Sequence, residues 1–459
     1  MPSIGNGYVS SFIGATQVYV AGLFNGFLTV GPSHRAVIPS PLNYVLSLNG
    51  SGTLSSTGYL LDVERAVYSQ FSEVVATTGA VLASVEQSWF AHRANRSLVV
   101  HQIDVDNSKN VATLELKVNN GLKNISSPDV RFFSTKQDGF LLYAGSTIQS
   151  ETLQGPRFTI AVCTTDLSAE TGASSLSVPA GQTKSFYFVS VFSTDLPDDT
   201  KFPAETVVAL YHHFTKEASD LMDTHVATWA KEWSNSGIEI EGDADSLRLQ
   251  QVTNTSLYWM FSSIRSDWPW SLSPGSLASN GYNGHAFWDC ETWMYPPIMM
   301  LDTNLGKSLL QYRANHLEGA KRNAKSYNPP YEGAMFPWED AFSGQETCPR
   351  SADTGRYEQH ITGDIAFAFR QFWDNTHDTA WLQRSYPILV QICTFWASRG
   401  KSIPPSFLLQ PLTLFQSNRM ALTMSLTTSF LLMSTTQEWT TAFIRMWCVS
   451  NCLWLKLRK

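Results

Sequence analysis

Near residue 200 the apolar residues change their spacing, and no single layer of secondary structure satisfies both halves of the chain. Before that point, runs such as RSLVVHQIDVDN, VATLELKVNN and KSFYFVSVFST alternate apolar and polar residues between the turn-formers LNGSG, NNG and PAGQ. A period of two buries one face of a strand, and many short strands at regular spacing predict a large antiparallel sandwich. Beyond it, AETVVALYHHFTKEASDLMDTHVATWAKEW (Ala204–Trp233) spaces its apolar residues by three and four and lacks Pro and Gly, which predicts helix. DSLRLQQVTNTSLYWMFSSIR, LGKSLLQYRANHLEGAKRNAKSY, TGDIAFAFRQFW and TAWLQRSYPILVQICTFWASR carry the same pattern. The expected organisation is multidomain β + α: a β-sandwich domain over residues 1–203, a helical linker over 204–245, and a helical domain over 246–399 with Trp-rich loops.

A chain of 459 residues is too long for one ordinary core. With 43% hydrophobic and 15% charged residues it should fold rather than stay disordered. The formal charge of −7 and the lack of a long basic run give no reason to expect nucleic acid or an anionic membrane as partner. Aromatic content is high at 12%, with 15 Trp, and Trp-rich clefts suit ligands with flat, weakly polar faces such as sugar rings. Cys163, Cys290, Cys348, Cys393, Cys448 and Cys452 show neither zinc spacing nor a disulfide framework, so mostly reduced thiols are expected. No signal peptide is readable at the start, and no run reaches the roughly 18 apolar residues of a membrane span, so a cytoplasmic location is expected.

The densest chemistry lies in GHAFWDCETWMYPP, Gly284–Pro297. An indole can stack on the C–H face of a sugar, and a neighbouring carboxylate can accept bonds from vicinal hydroxyls. Trp288 and Asp289 offer both groups from one loop. The competing reading makes Phe287, Trp288 and Trp293 core aromatics and Asp289 a cap on the following helix. A second stretch, YEGAMFPWEDAFSGQETCP, again sets Trp338 beside Glu339 and Asp340, and the two Trp–acid loops suggest convergence on a cleft. His360, Asp364, His377 and Asp378 lack metal-ligand spacing and read as caps or structural polar groups; no metal or cofactor is expected.

These residues carry a resemblance. IGNGYVSSFI with VYVAGLFNG, GYNGHAFWDCETWMYPPIMML, YRANHLEGAKRNAKSYNPPYEGAMFPWEDAFSGQE, and EQHITGDIAFAFRQFW with TFWASR resemble, in order, the blocks of glycoside hydrolase family 65, from about Ile4 to Arg399. The resemblance implies a β-supersandwich, a helical linker and an (α/α)6 barrel, here truncated. It implies that Trp288 and Asp289 hold the glucose of an α-glucoside, with Glu291, Trp338 and Glu339 near that subsite. The implied partner is a carbohydrate. The implied reaction is inverting hydrolysis, with glucosylgalactosyl-hydroxylysine of collagen the expected substrate, or phosphorolysis in the phosphorylases of the family. Inversion needs an acid and a base roughly 6.5–9.5 Å apart. The family's acid lies in a PDEY motif after the FWxxR helix and its base later still; neither is readable here, so no catalytic residue is assigned.

After Arg399 the composition changes. Residues 400–459 hold one acid, Glu438, one glycine, Gly400, and six basic residues. LMSTTQEWTTAFIRMW, Leu432–Trp447, is compatible with codons whose shifted frame reads DEYNTGVDNSVYTNV, which resembles the family's acid motif and its continuation. Gly400-Lys401-Ser402 can be written with the splice-donor consensus GTAAGT. The expectation is a retained intron followed by an out-of-frame exon, and hence an inactive chain. A genuine alternative C-terminus is the other reading.

Overall fold

The structure is a computed structural model that describes residues 2–401 apart from 123–124, 138 and 168–172. The out-of-frame reading of residues 400–459 therefore lies, from residue 402 onward, outside the described residues. The chain divides into two compact units, Met1–Tyr312 and Arg313–Lys459.

An eight-stranded antiparallel sheet organises the first unit. Its strands run, edge to edge, Val130–Gln137, Phe140–Thr147, Thr159–Thr165, Thr183–Thr194, Leu98–Asp106, Val81–Ala91, Val67–Val75 and Thr53–Asp62. Period-two alternation divides each central strand between two cores. Ile103, Val105 and Phe188 face Leu114, Leu116, Val118 and Tyr44 of a three-stranded sheet made of Ala173–Val178, Leu114–Asn120 and Tyr44–Leu48. This is the sandwich that the alternation predicts. Within it His101 stacks on Trp89 at 4.2 Å and 11°, and on Tyr44 at 4.9 Å. Burial pushes the imidazole pKa down to about 3, so this histidine is a neutral aromatic filler.

The other parity, Leu98, Val100, Val189 and Val191, packs beneath helix α1, Pro203–Lys216. Val207, Tyr211 and Phe214, spaced by four and three, form its buried stripe. The Tyr211 hydroxyl donates to the Gly139 carbonyl at 2.9 Å, which satisfies the one polar atom that the stripe buries. Helix then resumes as α2, Leu221–Ser236, after a 3-10 turn at Ala218–Asp220. The apolar spacing over 204–233 did not reveal this break. Ser219 and Asp220, whose side chains bond to each other at 3.0 Å, are residue types that weaken a helix interior. Helix α3, Ala244–Phe261, starts on an Asp243 side chain that accepts from the Asp245 N–H at 3.2 Å. Arg93 ties its far end to the sheet, donating to the carbonyls of Asn6, Phe261 and Ile264 at 2.9–3.1 Å. Helices α4, Tyr295–Leu301, and α5, Thr303–Asn315, follow the Trp-rich motif.

The second unit is helical: α6, Leu317–Lys325, α7, Thr354–Tyr357, α8, Ile361–Thr376, and α9, Thr379–Lys401. Trp381 of α9 sits 4.3 Å from Phe372 and 5.5 Å from Phe369 of α8, ring centre to ring centre. Cys163, Cys290 and Cys348 are buried free thiols. Among the described residues no helix is long and apolar enough to cross a membrane.

If α1 is part of the first unit's core, Tyr211→Ala should cost about 3–5 kcal/mol in denaturant unfolding. Phe133→Ala, at a 65% exposed strand position, should stay within about 0.5 kcal/mol. Equal effects would remove α1 from the core.

Candidate functional site

The Gly284–Pro297 segment is positioned from the N-terminal strands. Arg35 ends the strand Val30–Arg35, and its guanidinium is buried. Nη1 donates to the carbonyls of Ser276 and Ser279 at 2.9 Å and of Leu277 at 3.4 Å, and Nη2 to that of Gly284 at 3.0 Å. Among the described residues no carboxylate pairs with it; carbonyl dipoles hold the charge, and burial lowers its pKa only to about 10. The segment it grips is strained. Tyr282, Asn283 and Gly284 all have positive φ, at 53°, 57° and 72°. Gly284 is required twice over, since a Cβ there would also lie 2.8 Å from Arg35 side-chain atoms.

Two prolines then set the turn that carries the acids. Pro296 and Pro297 have no N–H to give to the carbonyls one turn back. The Tyr295 N–H bonds instead to the Cys290 carbonyl, five residues back, and Cys290–Met294 forms a π-helical turn. This wider turn places Trp293 against Trp288, with ring centres 4.6 Å apart and planes at 62°. The Trp293 indole N–H donates to Asp289 Oδ1 at 3.0 Å. The Asp289 side chain caps nothing on the helical turn that follows. The helix-cap reading of this residue therefore fails. Phe287 and Cys290 are buried, Trp288 and Asp289 half-buried, and Trp293 exposed. Glu291 is buried on the same turn, beside Tyr295, whose hydroxyl pKa is raised by burial first and by the Glu291 charge second. The first unit thus carries Trp288, Asp289 and Glu291 on one turn.

The second unit holds the other pair. Trp338 is half-buried and meets the His360 ring edge-on at 5.9 Å; Glu339 is buried. Both backbones hang on Glu346. Its Oε2 accepts from the Trp338 N–H at 2.7 Å, and its Oε1 from the N–H groups of Glu339 at 3.1 Å and Cys348 at 2.9 Å. Asp340 turns the other way, into a fully buried cluster where it accepts from Arg313 at 2.9 Å and bonds His316 at 2.8 Å. Sequence reasoning did not single out Arg35, Glu346 or the Arg313–Asp340–His316 cluster. His360 pairs with Asp364 at 2.6 Å, His377 bonds the Trp373 carbonyl, and Asp378 accepts from the Trp381 N–H, all structural roles. Among the described residues no group of His, Cys, Asp and Glu could hold a metal ion.

Residues 255–404, which include both loops, match the family model described as glycosyl hydrolase family 65 central catalytic domain. The chain is 40% identical over 416 residues to protein-glucosylgalactosylhydroxylysine glucosidase of Dictyostelium discoideum, covering 87% of this chain and 55% of that protein. It is 40% identical over 224 residues to kojibiose hydrolase of Flavobacterium johnsoniae, covering 48% and 32%. A solved human-microbiome protein assigned as a kojibiose phosphorylase superposes with a TM-score of 0.69 at 17% identity, covering 86% and 57%, a likeness of fold. The chain spans about half the length of the glucosidase it matches.

Burial pushes the Glu346 carboxyl up to about 7, against the pull of its three N–H donors. Between an unfolded value near 4.5 and the folded value near 7, the folded chain keeps a proton that the unfolded chain releases. Stability must therefore fall as pH rises through that window. Glu346→Gln, which cannot ionise, should flatten the stability profile between pH 5 and pH 8, whatever its absolute stability. An unchanged slope would mean that Glu346 is ionised throughout.

Proposed function

We propose that this chain is the glucose-holding part of an inverting α-glucosidase, with glucosylgalactosyl-hydroxylysine as its substrate class. The observation that carries the reading is Asp289. It lies beside Trp288 in the segment that matches the family-65 model, and among the described residues its carboxylate takes one donor, the Trp293 N–H, on Oδ1. Its remaining lone pairs are free to accept from sugar hydroxyls. A charge-assisted acceptor beside an aromatic wall is what a pyranose needs from a site. The substrate class rests on the named activity of the Dictyostelium relative. The resemblance to the family's motifs is what supports assigning Glu291, Trp338 and Glu339 to sugar binding as well. The architecture we infer is a β-supersandwich, a helical linker and the first part of an (α/α)6 barrel, with domains over 1–203, 204–245 and 246–399 and an aberrant segment over 400–459.

Binding and turnover are separable here. In frame, Glu438 is the single carboxylate side chain after Arg399, in the context TTQEWTT, unlike the acid motif of the family. We infer that the 459-residue chain holds the sugar and does not cleave it.

Purified chain incubated with glucosylgalactosyl-hydroxylysine, and separately with kojibiose, should release no glucose above background, while a version with the frame restored at Gly400 should. General acid assistance alone is worth about 10²–10⁴-fold. Comparable turnover by both would assign the acid role to a carboxylate such as Glu291 or Glu339. In the restored enzyme, Asp289→Asn keeps the shape and loses about 1.5–3 kcal/mol of charged hydrogen bonding, so activity should fall about tenfold or more with the fold intact. Full activity in that variant would take Asp289 out of the pocket.

A further inference from the structure

We propose that Trp293 is a positioning residue for Asp289 and the second aromatic wall of the sugar site; the inference rests on the reading of Trp288 and Asp289 given above. Trp293 is 51% exposed, although an indole gains most from burial. An exposed Trp with no task would be free to choose among rotamers. This one is held at both ends of its ring system: its N–H donates to Asp289 Oδ1 at 3.0 Å, and its rings meet Trp288 at 4.6 Å. The π-helical turn aligns residues five apart, which brings Trp293 against Trp288. Asp289 and Trp293 are four residues apart, and the turn between them keeps both side chains toward one side while Cys290 anchors the opposite side by a bond from Sγ to the Leu272 carbonyl at 3.1 Å.

The consequence for a ligand is directional. A carboxylate on a free χ2 presents its two oxygens interchangeably, because the terminal torsion is broad and two-fold. The Trp293 bond removes that freedom by fixing the plane of the carboxylate, which leaves both lone pairs of Oδ2 and one of Oδ1 for incoming hydroxyls. Trp288 and Trp293, set at 62° to one another, make an aromatic corner rather than a single wall. A pyranose seated there has C–H faces for the rings and hydroxyl edges for the carboxylate, so the corner should select for ring orientation as well as for affinity.

The test is a double-mutant cycle on the purified 459-residue chain, read as kojibiose affinity by titration calorimetry, with thermal unfolding as the control for the fold. Trp293→Phe keeps an aromatic ring and deletes the N–H. It should weaken binding by about three- to tenfold, the size of one hydrogen bond, at unchanged thermal stability. Asp289→Asn should weaken binding at least as much. The double variant should lose little beyond Asp289→Asn alone, because the Trp293 bond then has no carboxylate to orient. Independent losses that multiply, or Trp293→Phe with wild-type affinity beside a weakened Asp289→Asn, would overturn the role of Trp293 and leave the pocket standing. Wild-type affinity in Asp289→Asn, or no saturable kojibiose binding by the wild-type chain, would overturn the pocket itself and this inference with it.

Discussion

The candidate site depends on one buried cation that, among the described residues, is held by carbonyls and not by a carboxylate. Arg35 sits on an N-terminal strand, and the loop it holds lies some 240 residues further along the chain, so its four carbonyl contacts are long-range closures. A guanidinium is suited to this. It is weakly hydrated for a cation, and its donors are fixed in a fork that can serve several carbonyls at once. Lysine would bring a compact charge with a larger hydration cost and no fork. The left-handed run Tyr282–Gly284 persists because these closures over-determine it. Without Arg35 the segment would relax, and the π-helical turn that follows would lose the fixed entry from which Asp289 is aimed.

Counting donors separates carboxylates engaged by the fold from one that keeps spare acceptor capacity. Glu346 accepts from three backbone N–H groups, and Asp340 bonds to Arg313 and His316 with no exposed surface. Both are engaged in holding loops. Asp289 is half-buried, caps nothing and takes one indole N–H. A carboxylate in that condition keeps acceptor capacity at moderate desolvation, which suits exchange between water and sugar hydroxyls. The same logic explains why the aromatic content of the motif divides as it does. Phe287 is spent on the core, while Trp288 and Trp293 remain at the surface with the acid.

Much of this was legible in the residues, and the reason is periodicity. The alternation in Leu98–Asp106 and Thr183–Thr194 led directly to the central strands and their two faces, because each side chain's face follows from its parity. The pair Trp288–Asp289 stood out because stacking and charged acceptance adjoin in sequence. What stayed hidden depended on closure in three dimensions. Nothing in GPSHRAVIPS marks Arg35 as the residue that grips the loop before the Trp-rich motif. Glu346 looked like one acid among several in a loop, and its role exists only once that loop folds back on its own backbone. The breaks at Ala218–Asp220 and His316 were hidden by apolar spacing that runs on across them. The π-helical turn had a visible cause in Pro296 and Pro297, but a pair of prolines also ends helices, and only the structure distinguishes the outcomes.

On the proposed reading, the Trp288–Trp293 corner and Asp289 hold the non-reducing glucose of an α-glucoside. A crystal structure of the chain soaked in kojibiose tests it without relying on turnover. The account predicts the non-reducing glucosyl ring in the corner, a C–H face against an indole, and two of its hydroxyls within hydrogen-bonding distance of Asp289, with Oδ1 still held by Trp293. Sugar density elsewhere in residues 255–404, or a glucosyl ring in the corner that does not touch Asp289, would contradict it.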